Sequence, residues 1–321
     1  MIYIEQKKAN WSVLVTAPYM LPIIKTFDEF FSRNSIEYTP LEVSERCTEK
    51  DLLPIIADFD GVICGDDQFT KKVLMAASRL KVISKWGTGI DSIDLVTAKS
   101  LGIRVCRTPN AFTNPVADSV MGYIISFARQ LQKMNSKMKN GEWEKIPGRA
   151  LSECSLGILG VGSIGKAVAT RANSFGMKLL GHDIAPISKE FVNNYNIEIV
   201  GLKELCARSD FLTIHCDLNP TSQLLIGPEE FRIMKPTAVL VNLARGGVVD
   251  EASLIVALSN KLIAGAALDV FELEPLPADS PLRSMDNVML APHNSNSSPE
   301  AWKKVHKNTL SQLVDALKAV E

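Results

Sequence analysis

Residues 158–183 hold the clearest chemical signal in this chain. Gly160-Val161-Gly162-Ser163-Ile164-Gly165 follows an apolar run and opens a helical pattern. A second apolar run then ends at Asp183, eighteen residues beyond Gly165. Gly160 would permit a tight turn out of a strand, and Gly162 would let backbone come close to a pyrophosphate. Gly165 would allow close helix–strand packing, with the helix N–H groups and dipole aimed at the phosphates. A carboxylate at Asp183 would hold the ribose hydroxyls. The alternative is a glycine-rich βα turn with a surface aspartate, but both strands, the helix and the terminal acid together point to a dinucleotide. Asp183 would repel a 2′-phosphate, and Ile184, Ala185 and Pro186 supply no arginine to receive one, so NAD is expected rather than NADP. Lys189, the first cation downstream, reads as a solvated helix residue.

Three later segments carry reactive side chains. Arg245 follows the strand-like AVLVNL and precedes two glycines, a position where an arginine can clamp a carboxylate through two parallel hydrogen bonds. His293 follows NVMLAP. A histidine suits hydride-transfer chemistry because alcohol oxidation needs a base near neutral pH and carbonyl reduction needs an acid. Glu274 is a candidate partner that would fix its tautomer, with Glu272 and Asp269 as competitors. His182 and His215 lie at strand ends and either touch a nucleotide or fill space, while His306 lies in the last helix as a structural residue. The loop Trp86-Gly87-Thr88-Gly89-Ile90-Asp91 exposes main-chain N–H groups of the kind that bind carboxylates, or is an ordinary strand-to-helix turn.

Strand and helix patterns that alternate along the chain must position these groups, the signature of parallel α/β sheets. Strands are expected at 12–16, 37–41, 61–64, 82–86 and 104–106. Helices are expected from about Pro22, Asp67 and Asp91. A long helix would start near Pro115, capped by Asn114. A second α/β unit begins at Leu156, with strands at 211–215, 239–243, 264–270 and 288–290, and a closing helix spans about 298–320. About a hundred residues precede the cofactor fingerprint, enough for a separate domain. The expected fold is two doubly wound parallel-sheet domains. A Rossmann-type cofactor domain, 107–294, is inserted in a discontinuous substrate domain of 1–106 and 295–321, with hinges near Arg107 and Ser295.

The 321 residues carry 35 basic and 36 acidic side chains, a net charge of −1 and 46% hydrophobic residues. No basic stripe suggests nucleic acid, and no apolar run reaches the ~20 residues that span a bilayer. The N-terminus lacks the features of a signal peptide. Cys47, Cys64, Cys106, Cys154, Cys206 and Cys216 show no CxxC pair and no metal-like spacing, so reduced thiols, no metal and a cytoplasmic setting are expected.

With these residues in view, the chain resembles the D-isomer-specific 2-hydroxyacid dehydrogenases over nearly its whole length. The likeness is carried by WGTGIDSID, TPNAFTNPVADSVMGYII, LGILGVGSIGKAVATR with HD, MKPTAVLVNLARGGVVDE, GAALDVFELEP and APH, and is strongest toward the catalytic core of 3-phosphoglycerate dehydrogenases. The resemblance implies that Arg245 binds the carboxylate and carbonyl of a 2-keto acid. His293 would be the general acid/base and Glu274 its partner. Gly87, Thr88 and Gly89 would take the substrate carboxylate, and Asp269 the nicotinamide carboxamide. The implied cofactor-binding set is Gly160, Gly162, Ser163, Ile164, Gly165, Asp183, His215, Cys216, Thr221, Leu243 and Asp269. A homodimer through the cofactor domains and an active site in the interdomain cleft are also implied.

Departures from the family pattern bear on substrate. After the histidine stands Asn294-Ser295-Asn296-Ser297-Ser298, without glycine. His215-Cys216-Asp217 replaces the common His-x-Pro. Lys85 stands where phosphoglycerate enzymes carry an arginine for the phosphate, bulky Trp86 follows it, and a serine-sensing regulatory domain is not expected. The expected activity is NAD-dependent hydride transfer with a small D-2-hydroxy acid, 3-phosphoglycerate first and hydroxypyruvate or glyoxylate as alternatives. An NAD(H)-sensing protein of the corepressor type is the other class consistent with the fold.

Overall fold

Two parallel sheets organise the chain in the computed structural model, which describes residues 10–320. The first has the order β2-β1-β3-β4-β5, built from Trp11–Val15 (β1), Ile36–Pro40 (β2), Gly61–Cys64 (β3), Val82–Lys85 (β4) and Arg104–Cys106 (β5). The second comprises Ser155–Leu159 (β6), Lys178–His182 (β7), Glu198–Ile199 (β8), Phe211–Ile214 (β9), Val239–Asn242 (β10), Gly265–Leu268 (β11) and Val288–Leu290 (β12). Its order is β12-β11-β10-β9-β6-β7-β8. β3, β4, β6, β9, β10 and β11 are buried at every position. Parallel strands covered on both faces are apolar in near-continuous runs rather than alternating. Both orders reverse once, between β1 and β3 and between β6 and β9, and such switch points place ligands beyond the strands' carboxyl ends.

The chain divides into two compact units. One runs to Ala111 and resumes at Ser298; the other is Phe112–Ser297. In the first unit the helix Pro299–Lys318 buries Val305, Leu310, Leu313 and Leu317. A Cβ on Gly61 would lie 3.0 Å from Leu313 Cδ1, and Ser84 Oγ donates to Thr309 O at 2.8 Å. In the second unit Leu205, Leu212, Ile214, Leu240, Leu254 and Ala266 lie in one core cluster, where each large apolar side chain contributes about 1.5–3 kcal/mol by leaving water.

Several elements differ from the expected spans. The segment from Pro22 begins as a 3₁₀ turn, Leu21–Phe27, before an α-helix at Asp28–Arg33. The helix expected from Asp67 starts at Lys71, with Thr70 Oγ1 accepting from Val73 N. That expected from Asp91 starts at Leu95 under an Asp94 cap. The long helix is two, Thr113–Ala128 and Leu131–Lys139, broken at Gln130 (φ +55°). Its cap position is Phe112 rather than Asn114. All six cysteines are free thiols, and among the described residues no helix is long and apolar enough to cross a membrane.

Candidate active site

The dinucleotide turn leaves β6 at Leu159. Gly160 has φ +91°, and a Cβ there would lie 2.6 Å from Cys216 N and 2.8 Å from His215 C, so the turn is pressed against the chain leaving β9. A Cβ on Gly165 would lie 2.1 Å from Gly160 O. The helix Ser163–Ser174 reaches the turn only because that side chain is absent. Gly162 differs: nothing lies within 4 Å of its added Cβ. It precedes a twelve-residue helix whose first N–H groups, on Ser163 and Ile164 among others, are an anion site by dipole and by unsatisfied donors. At the end of β7, Asp183 Oδ2 accepts from Val161 N at 2.7 Å and Oδ1 from Ala185 N at 2.8 Å, which fixes the carboxylate beside the turn. Open space at Gly162 over a helix N-terminus, with a fixed acid one strand away, fits a dinucleotide.

The remaining residues expected at the cofactor have other surroundings. His215 is held against Thr213 Oγ1 through Nε2 at 2.9 Å, and burial pushes its pKa down to about 3. Cys216 is half-buried, and burial raises its thiol to about 11. Thr221 is exposed, its N and Oγ1 both donating to Asn219 Oδ1. Leu243 is buried just beyond β10. His182 Nδ1 lies 2.9 Å from Val200 O.

The reactive groups stand at the carboxyl ends of three neighbouring strands. Arg245 follows β10, Asp269 follows β11, and His293 follows β12. Main-chain bonds lace these ends together: Asp269 N donates to Asn242 O at 3.0 Å, and His293 N to Asp269 O at 2.8 Å. Asn242 braces the arginine turn, Nδ2 donating to Arg245 O at 3.0 Å and Oδ1 accepting from Ala244 N at 3.1 Å. Arg245 Nη1 donates to Ala244 O at 2.8 Å. The turn is tight: a Cβ on Gly246 would lie 1.9 Å from Phe271 C.

His293 Nδ1 lies 3.1 Å from Glu274 Oε2, and both side chains are about one-fifth exposed. Glu274 is itself held, Oε1 accepting from Phe271 N at 3.0 Å, and the Glu274–Pro275 peptide is cis. Of the two competitors, Glu272 Oε1 accepts from Glu251 N at 3.1 Å. Asp269 is fully buried, its two oxygens accepting from Asn294 N at 2.7 Å and Ser295 N at 2.9 Å. With the bond from His293 N to its carbonyl, Asp269 engages three successive N–H groups. His293 sits at φ +50°, a left-handed conformation that costs a non-glycine residue about 1–3 kcal/mol and persists only where surrounding bonds enforce it.

In the first unit, Gly87 (φ +130°) requires the freedom of glycine, and its carbonyl accepts from Thr108 N at 2.8 Å. Thr88 Oγ1 donates to Thr108 O at 2.8 Å, so this side chain fastens its own loop, and Gly89 is half-buried beside it. Lys85, the last residue of β4, is buried, with Nζ 2.9 Å from Asp66 Oδ1. His306 Nδ1 accepts from Trp86 Nε1 at 2.9 Å, and burial lowers the histidine's pKa. Sequence reasoning read Asp67 only as a helix start and gave neither it nor Asp66 a place at the site. Their only local signal was a pair of adjacent acids immediately past an apolar strand.

Residues 121–295 match the model of the D-isomer specific 2-hydroxyacid dehydrogenase NAD binding domain. D-3-phosphoglycerate dehydrogenase of Methanocaldococcus jannaschii is 38% identical over 310 residues, which are 95% of this chain and 57% of that protein. The chain thus spans little more than half of that relative. Glyoxylate reductase of Thermofilum pendens is 38% identical over 278 residues, 84% of this chain and 82% of that protein. D-lactate dehydrogenase of Aquifex aeolicus, solved with NAD and lactic acid, shares the fold at a TM-score of 0.84 and 24% identity, covering 96% of each chain. The chain belongs to the D-isomer-specific 2-hydroxyacid dehydrogenase family, and the cofactor of that family domain is NAD.

Proposed function

We propose that the protein interconverts a small D-2-hydroxy acid and its 2-keto acid. The observation that carries this reading is the His293–Glu274 pair, held at 3.1 Å. A carboxylate on Nδ1 fixes the imidazole tautomer and favours the imidazolium, leaving Nε2 as the nitrogen that exchanges a proton with substrate. When bound, NAD(H) supplies the hydride acceptor or donor. In reduction, His293 Nε2 gives its proton to the substrate oxygen as C2 gains the hydride; in oxidation it takes that proton back. Arg245 binds the substrate carboxylate and polarises its carbonyl. The main-chain N–H groups of Gly87, Thr88 and Gly89 are proposed as further carboxylate donors, and Asp269, whose oxygens accept from Asn294 N and Ser295 N, is proposed to hold the nicotinamide carboxamide.

Among substrates, the names of the relatives support both pairs expected from sequence, 3-phosphoglycerate with 3-phosphohydroxypyruvate and the unphosphorylated hydroxypyruvate or glyoxylate. A homodimer through the second unit is part of the proposal, supported by exposed Leu131, Met138 and Trp143. A cytoplasmic setting is part of it too, supported by the free thiols. The test is NADH oxidation with hydroxypyruvate, glyoxylate and 3-phosphohydroxypyruvate. Turnover of at least one acid, faster with NADH than NADPH, is expected. NADH binding without turnover of any acid would favour a sensing protein instead.

A further inference from the structure

The switch point of the first sheet lies between β1 and β3, and β4 is the next strand along. Asp66 and Asp67 follow β3, while Lys85 ends β4 one residue before Trp86 and the Gly87–Gly89 loop. Asp67 is fully buried and fixes the turn. One of its oxygens accepts from Thr16 Oγ1 at 2.6 Å and Gly65 N at 3.1 Å, and the other from Cys47 N. Burial raises its carboxyl above the usual range. Asp66 is therefore presented by a turn closed on itself through Gly65 and tied to two neighbouring segments through Thr16 and Cys47. Its carboxylate meets the Lys85 ammonium at 2.9 Å, with the lysine side chain 4% and the aspartate 31% exposed.

The Lys85 side chain is almost wholly enclosed. Its neighbour Trp86 is held by the bond to His306 and packs against three rings: Tyr19 at 5.2 Å, Trp302 at 5.8 Å and His306 at 5.5 Å between centroids. Tyr19 and Trp302 also meet each other at 5.0 Å. A buried ammonium separated from its counter-ion carries the cost of an uncompensated charge. A phosphate approaching Lys85 would also meet the Asp66 carboxylate, a like charge that weakens binding. Lysine lacks the planar fork with which an arginine could serve two anions at once.

Resting on the dehydrogenase reading above, we propose that Asp66 is a specificity-determining residue. By holding Lys85 it makes the carboxyl end of β4 electrically neutral. The enzyme is thereby directed to unphosphorylated 2-keto acids, hydroxypyruvate and glyoxylate among them, and away from an acid phosphorylated at C3.

The experiment compares kcat/KM for hydroxypyruvate and 3-phosphohydroxypyruvate in the wild type and in Asp66→Asn. The wild type is expected to favour hydroxypyruvate. The variant, with Lys85 released from its counter-charge, is expected to gain about tenfold or more on the phosphorylated acid relative to hydroxypyruvate. A wild type that prefers the phosphorylated acid, or a folded variant with an unchanged ratio, overturns the proposal while leaving the dehydrogenase reading intact. Turnover of neither acid nor of glyoxylate by a wild type that binds NADH defeats the dehydrogenase reading itself, and this proposal with it. The wild-type preference decides the matter should Asp66→Asn fail to fold.

Discussion

His293 Nδ1 and Glu274 Oε2 lie 3.1 Å apart, although nineteen residues separate them in the chain. Each is secured from behind: Glu274 by the N–H of Phe271, and His293 by its N–H to the Asp269 carbonyl. An acid/base histidine needs this arrangement, since a wandering ring would alter both tautomer and proton-transfer distance. In reduction the ring must be protonated, and the carboxylate favours that state. Glu274→Gln should therefore move the alkaline limb of the reductive kcat/KM profile to lower pH by about one unit or more. A variant that is merely slower, with the limb in place, would assign Glu274 a structural role alone.

The three glycines of the dinucleotide turn differ in a way that substitution can separate. An alanine at Gly162 meets nothing within 4 Å, whereas one at Gly165 would lie 2.1 Å from Gly160 O. Gly162→Ala should unfold close to the wild-type temperature but bind NADH about tenfold or more weakly, because the methyl occupies space needed for phosphate. Gly165→Ala should lose about 1–3 kcal/mol of stability by forcing the helix from the strand. Equal effects of the two on stability, measured by thermal or urea unfolding, would contradict this division.

His215 makes stability depend on acid. Burial pushes its pKa down to about 3, whereas the unfolded chain protonates a histidine near ~6.5. Its contribution is intact above about pH 6.5 and is lost progressively as pH falls toward 3, because only the unfolded state takes up the proton. Between about pH 5.5 and 4.5 the slope from this residue approaches about 1.4 kcal/mol per pH unit. His215→Gln should flatten the urea-unfolding free energy over that interval by nearly one proton. Parallel slopes would show that the folded protein admits the proton.

The parallel sheets were legible because buried strands such as Gly61–Cys64 and Gly265–Leu268 are unbroken apolar runs between turns. The glycine turn was legible because each glycine answers a local backbone demand. Features set by distant partners were not. Asp67 looked like a helix start, but Thr16, Gly65 and Cys47 claim its carboxylate, and the helix waits for Thr70. The break at Gln130 falls in a pattern that is helical on both sides. Lys85 resembled a phosphate ligand by position alone; its pairing with Asp66 depends on two strands lying side by side. The competition among Glu274, Glu272 and Asp269 likewise turned on three-dimensional partners, with Glu272 committed to Glu251 and Asp269 to the chain after His293.

The most direct measurement is the turnover of His293→Gln with the fastest 2-keto acid of the panel, alongside its binding of NADH. Loss of the proton carrier should lower kcat by about 10²-fold or more while NADH binding is retained. Near-wild-type turnover in that variant would contradict proton transfer by His293 and, with it, the proposed chemistry of the site.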